Sequence, residues 1–134
     1  MTLKIEALKT ATEESKLNGE WMIVVNEGER PFNTEGCSIS VSRAGSAKGR
    51  VVTTLKAGLI VQPKERCRLV TGSSGRSSHG ETVVEEGVRN VHLYLKATYL
   101  DRAKLVVKLM NRQHEICRAT YDPESPSGIA AEGG

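Results

Sequence analysis

Cys37-Ser38-Ile39-Ser40-Val41-Ser42 alternates apolar and polar side chains without a break, the pattern of a strand with one dry face and one wet face. Arg66-Cys67-Arg68-Leu69-Val70 repeats it, with Cys67 and Leu69 inward and both arginines outward, and so does Val91-His92-Leu93-Tyr94-Leu95-Lys96. Glu20-Trp21-Met22-Ile23-Val24-Val25 is apolar on both faces and suits a strand covered on both sides. Residues 50–55, 104–110 and 115–121, rich in Val, Thr and Ile, are further strand candidates. Asn26-Glu27-Gly28, Lys56-Ala57-Gly58, Gln62-Pro63-Lys64 and Asn111-Arg112 mark turns between these runs. About seven short strands with no helical pattern between them predict an all-β, antiparallel sandwich or barrel.

The two ends read differently. Leu3, Ala7, Leu8 and Ala11 fall at helical spacing among good helix formers, so residues 1–17 are expected to form an extension with a short or frayed helix over 4–16. Pro123-Glu124-Ser125-Pro126-Ser127-Gly128 and the residues after it have little to bury, which predicts a disordered tail over 123–134. The body, residues 18–122, is one domain. Thr71 to Gly80, rich in Ser and Gly, is its longest internal loop.

With 134 residues and 38% hydrophobic content, the chain supports one core and not two. No run of 18 apolar residues predicts a membrane helix, and the first residues lack the apolar stretch of a signal peptide. Three cysteines, an odd number, argue for a reducing compartment and against a disulfide framework, so the expected location is cytoplasmic. Trp21 is the only tryptophan and stands on the most apolar strand, which makes it the expected core anchor.

The net charge of +3 hides strong blocks. Residues 43–76 hold Arg43, Lys48, Arg50, Lys56, Lys64, Arg66, Arg68 and Arg76 against the single acid Glu65, whereas residues 77–88 hold Glu81, Glu85 and Glu86 and no Lys or Arg. Arg43, Lys48, Arg50, Arg66, Arg68 and Arg76 therefore define a candidate binding surface for phosphates or an anionic partner. The plainer reading is a mixed surface in which basic strands face acidic neighbours. Base-stacking aromatics are absent from these segments, which ranks a protein partner above nucleic acid. Arg66 and Arg68, read as exposed, are expected to be removable together at a cost within about 1 kcal/mol.

Candidates for chemistry are few. Cys37, Cys67 and Cys117 stand at inward strand positions, and no CxxC or HxxxH spacing joins them to His79, His92 or His114. They read as small buried hydrophobes, with no metal and no cofactor expected. Ser77-Ser78-His79-Gly80-Glu81 puts three catalytic residue types on one loop, where triad members seldom converge. Neither paired carboxylates at strand ends nor a phosphate-binding glycine loop occurs, and no small-molecule substrate or membrane partner is indicated.

Glu20-Trp21-Met22-Ile23-Val24-Val25-Asn26, followed by Gly28, Arg30-Pro31-Phe32-Asn33 and Gly36, resembles the opening of the lamin tail domain family. Gly58 to Gly72, through Gln62-Pro63-Lys64 and Val70-Thr71-Gly72, is similar to that family's proline turn, strand and Thr-Gly block. Residues 90–95 and the closing strand pair are similar to the last third of its prokaryotic members. Cys37 stands where the family usually has Trp, and Asn111-Arg112-Gln113-His114 lacks the usual turn glycine. The resemblance covers about residues 18–122 and implies an immunoglobulin-like β-sandwich. It also implies a non-catalytic module, of the kind found in filament proteins or appended to bacterial secreted and surface enzymes. Here the module is expected to stand almost alone, with neither rod nor catalytic partner. The leading reading is thus a protein-interaction or structural module; the alternatives are a weakly basic nucleic-acid-binding β domain and a small enzyme.

Overall fold

In the computed structural model, which describes residues 3–12, 16–43, 45–46, 49–55, 59–73, 77–100 and 103–130, the alternating stretch is strand β4, Cys37–Arg43. It lies between β5, Gly49–Thr54, and β9, Leu105–Asn111, in a sheet ordered β10-β9-β4-β5, with β10 spanning His114–Thr120. The other four-stranded sheet is ordered β1-β2-β7-β8, from Leu3–Lys9, Trp21–Asn26, Arg66–Val70 and Val88–His92. A short ribbon of β3, Phe32–Asn33, and β6, Ile60–Val61, completes the set. The protein is an all-β sandwich. Among the described residues no helix is long and apolar enough to cross a membrane.

Alternation decides which residues fill the space between the sheets. Cys37, Ile39 and Val41 of β4 and Val107 and Leu109 of β9 meet Met22, Val24, Cys67 and Leu69 from the opposite sheet in one buried cluster. β1 and β10 lie against each other along one side, where the Ile5 amide reaches the Cys117 sulfur. β5 and β8, at the far ends of the two sheets, therefore line the opposite side.

Three expectations need correction. The helix expected over 4–16 is instead strand β1 over Leu3–Lys9, paired antiparallel with β2 and contributing Leu3, Ile5 and Leu8 to the core. Its pairing shifts register between Ile5 and Ala7. That bulge turns a two-residue period into the uneven spacing that mimics a helix. Residues 13–15 lie outside the described set. Residues 1–17 are not an extension, since the sandwich includes the chain from Leu3.

The expected tail is ordered through residue 130. Leu8 N–H donates to the Ser127 carbonyl at 2.8 Å, and Ile129 bridges to Tyr121. Gly128, with φ of 77°, presses against the Leu8 carbonyl so closely that a Cβ there would collide with it. Residues 131–134 lie outside the described set. Finally, β7 and β8 pair in parallel, unlike every other paired neighbour in the sandwich. Parallel strands need a crossover of a dozen or more residues, and the stretch 71–87 supplies it.

Glu20 fastens the pieces together at the head of β2. Its carboxylate is fully buried and accepts the Thr71 hydroxyl at 2.8 Å, the Tyr99 amide at 3.1 Å and the Leu100 amide at 3.0 Å. The end of β7 and the segment after β8 are thus tied to one side chain. Glu20→Ala strands three buried donors, each worth roughly 1–3 kcal/mol. Urea denaturation is expected to show a loss of about 3 kcal/mol or more, with Thr71→Val costing less because it removes only one bond.

Candidate functional site

The outer face of the β1-β2-β7-β8 sheet carries two of the six candidate basic residues, Arg66 and Arg68. Strand β7 reads Arg-Cys-Arg-Leu-Val, and alternation sends Arg66, Arg68 and Val70 to that face. Arg66 is exposed and pairs with Glu6 at 2.9 Å. Arg68, expected to be exposed, is buried at 1%. The crossover lies over it: Nη2 meets Glu85 at 2.7 Å, and Nη1 donates to the Val83 carbonyl and to Asn90 Oδ1, both at 3.2 Å. Its guanidinium also stacks 4.5 Å from the centre of the Trp21 ring.

Trp21 corrects a second expectation. It stands on the outer face, directly paired with Lys9 and Val70 and partly exposed, while Met22 and Val24 fill the interior. The strand is apolar on both faces, as read, but its tryptophan belongs to the face that carries Arg68. A groove of about 470 Å³ opens beside it, between β1 and residues 123–128.

The candidate basic surface separates. Arg43 closes β4 and Arg50 opens β5, and both are exposed on the same face of that ribbon, at the margin of the second sheet. Arg66 belongs to the other sheet and is paired, and Arg68 is covered. Lys48 and Arg76 lie outside the described residues. Ion pairs join segments of opposite charge in Arg66 with Glu6 and Arg68 with Glu85, and within the basic stretch of β9 and β10 Glu115 pairs with Arg118 at 2.6 Å and Lys108 at 3.7 Å.

The candidate chemical residues act as fasteners. His79 Nδ1 accepts the Ser73 amide at 3.1 Å, which staples the loop, and His92 Nε2 shares a hydrogen bond of 2.8 Å with the Thr82 hydroxyl. Burial pushes His92 below its ordinary value, so the ring favours its neutral form. Cys37, Cys67 and Cys117 are free and buried, and burial raises each thiol, Cys117 to about 11. The Arg89 guanidinium, 3.4 Å from the Cys67 sulfur, opposes part of that rise. Among the described residues no three His, Cys, Asp or Glu side chains gather as metal ligands.

Sequence reasoning missed two asparagines. Asn26 is fully buried; its Nδ2 donates to the Arg30 and Val61 carbonyls, and its Oδ1 accepts the Gly28 amide at 2.8 Å. Asn18 Nδ2 donates to the Ser73 and Gly80 carbonyls, closing the base of the loop between them. Asn26 had a legible signal, an Asn two residues before Gly at a strand end. Asn18 had none.

What remains available for binding is apolar. Among the described residues the exposed large hydrophobic side chains are Val51, Ile60, Val83, Val84 and Tyr94, from 39% to 89% exposed. They do not share one face: Val51 pairs with Ser40 on the outer face of the β10-β9-β4-β5 sheet, whereas the crossover that carries Val83 and Val84 lies over Arg68 on the outer face of the other sheet. Val51 is on β5, and the Ile60 carbonyl accepts a hydrogen bond from Arg89 of β8. The Val83 carbonyl accepts one from Asn90 of the same strand, and the Tyr94 ring lies 6.4 Å from that of His92. A search of protein-family models finds no match to the chain, and a search of curated proteins finds no relative.

The two arginines of β7 separate by experiment. Arg68→Ala removes a buried cation and leaves the Glu85 carboxylate and Asn90 without it, so the expected loss in urea denaturation is about 3–5 kcal/mol. Arg66→Ala breaks only a solvated pair and is expected to cost less than about 1 kcal/mol.

The thiols set a pH limit. A raised folded pKa means the contribution is complete below the ordinary thiol value of 9.0 and is lost as pH rises toward 11. The urea midpoint is therefore expected to fall across that interval. The fall is shallower in Cys117→Ala, and all three thiols react slowly with a thiol reagent until the chain unfolds.

Proposed function

We propose that this chain is a non-catalytic β-sandwich of the lamin tail type, acting as a protein-interaction or structural module in the cytoplasm. The observation that carries the reading is the exposure of Val83, Val84 and Tyr94 beside the outer face of the β1-β2-β7-β8 sheet, where the Val83 carbonyl accepts from Arg68 and Asn90 and the Tyr94 ring lies 6.4 Å from that of His92. A soluble domain keeps an apolar patch in water at a cost, and such patches mark interaction sites. The polar groups that a catalytic reading would need are already engaged. Glu20, Asn18, Asn26, Arg68 and His79 each hold chain segments together. The lamin-tail resemblance gains a physical basis at Asn26, whose buried side chain builds the Asn-x-Gly turn that ends the resembling strand. Free, buried cysteines suit a reducing compartment.

The nucleic-acid reading is weaker, because covered Arg68 and paired Arg66 leave only Arg43 and Arg50 of the described basic candidates in the open. Immobilised wild type and Val84→Asp, exposed to the same native lysate, test the proposal. The expected result is a discrete protein retained by wild type and lost with Val84→Asp. Retention of nucleic acid instead, released by moderate salt and weakened by Arg43→Ser with Arg50→Ser, would replace this reading with the nucleic-acid one.

A further inference from the structure

The crossover that covers Arg68 leaves two valines in water. Val83 is 43% exposed and Val84 89%, and Val84 makes no hydrogen bond among the described residues, so its side chain and its backbone both meet solvent. The chain that carries them is nevertheless fixed to the sheet. Thr82 Oγ1 shares a 2.8 Å hydrogen bond with His92 Nε2, the Val83 carbonyl accepts from Arg68 and Asn90, and Glu85 pairs with Arg68. The His92 ring lies 6.4 Å from that of Tyr94, which is 64% exposed. Asn90 and His92 both belong to β8, so one strand holds the valines and the tyrosine along a single strip.

The charge around the valines has one sign. Exposed Glu81 and Glu86 stand on either side of Val83-Val84 in the chain, and residues 77–88 hold no Lys or Arg. Cations of β7 and β8 do not offset them: Arg68 is buried beneath the crossover, and Arg89 is bonded to the Ile60 carbonyl and to Glu65. Arg68 holds Glu85, whereas among the described residues Glu81 and Glu86 make no ion pair. Beyond Tyr94 the next charged residue is Lys96, so the acidic border belongs to the valine end.

We infer that this strip receives a segment of a partner protein in which Lys or Arg flanks aliphatic residues. The aliphatic side chains lie on Val83, Val84 and Tyr94, and the cations face Glu81 and Glu86. This rests on the interaction-module reading and gives its partner a chemistry. Apolar contact alone would accept any aliphatic partner; the two carboxylates select a basic one and reject an acidic one. They also repel a phosphate backbone, which sets this strip apart from the nucleic-acid alternative.

Fluorescence anisotropy with three labelled nine-residue peptides tests the inference: one alternates Lys and Val, one Glu and Val, and one Lys and Ser. At low salt the Lys/Val peptide is expected to bind saturably, and to weaken as salt rises. The Glu/Val peptide is expected not to bind, and the Lys/Ser peptide to bind at least about tenfold more weakly. Glu81→Lys with Glu86→Lys, and separately Val84→Ser, are each expected to raise the Kd of the Lys/Val peptide by roughly tenfold or more. Arg118→Ser, on β10 of the other sheet, leaves it unchanged, and circular dichroism confirms that every variant is folded. No saturable binding, equal binding of the Glu/Val peptide, or a Kd indifferent to these substitutions overturns the proposal. Self-association of wild type that Val84→Ser abolishes assigns the strip to a second copy and also overturns it. A lysate protein retained through Val84 but unaffected by Glu81→Lys with Glu86→Lys refutes the basic partner alone and leaves the interaction reading standing.

Discussion

Burying the Arg68 guanidinium is the constraint around which one sheet is organised. A cation with 1% exposure is costly unless it is paired and hydrogen-bonded. The compensation comes from elements far apart in the chain: the Trp21 ring on β2, Asn90 on β8, and the Val83 carbonyl and Glu85 carboxylate on the crossover. The crossover exists because β7 and β8 run parallel, and its route over the outer face is what removes Arg68 from water. Glu85, half exposed, keeps one side of the pair in high dielectric, which limits the desolvation penalty. Topology and charge thus support each other: without the crossover the arginine is an ordinary surface residue, and without the arginine the crossover loses its attachment.

Glu20 performs the same office at the other end of the connection. Its carboxylate takes three donors from Thr71, Tyr99 and Leu100, so both flanks of β8 are pinned near the head of β2. Together the two charged side chains leave one face of this sheet covered by the protein's own chain. The crossover that provides this cover itself carries exposed Val83 and Val84, so the apolar surface there lies on the covering chain.

How much of this was legible depended on parity. In β4 from Cys37 to Ser42 the polar positions are all Ser and the apolar ones Cys, Ile and Val, so one reading of the alternation is possible and it is the one observed. In β2, Trp21, Ile23 and Val25 form one set and Met22 and Val24 the other. Both are apolar, so the chain does not state which faces in, and Trp21 falls on the outside. In β1 a bulge after Ile5 breaks the two-residue period, and Leu3, Ala7, Leu8 and Ala11 fall at helical spacing instead. In residues 123–130 composition suggests disorder, yet one isoleucine, one close-fitting glycine and a few backbone hydrogen bonds hold the segment in place.

The sequence by itself determined that this is an all-β domain with one core, where most of its longer strands lie, and that its three cysteines face inward. Those properties follow from local alternation and turn residues, which act over a few positions. Only the tertiary structure decided that β7 and β8 are parallel, that Arg68 is buried while Arg66 is not, and that the crossover lies over the outer face of one sheet. Each depends on which distant segment comes to lie over a given face. The two arginines of Arg-Cys-Arg have the same parity and the same local pattern; what distinguishes them is the chain lying above, and that chain is placed by contacts dozens of residues away.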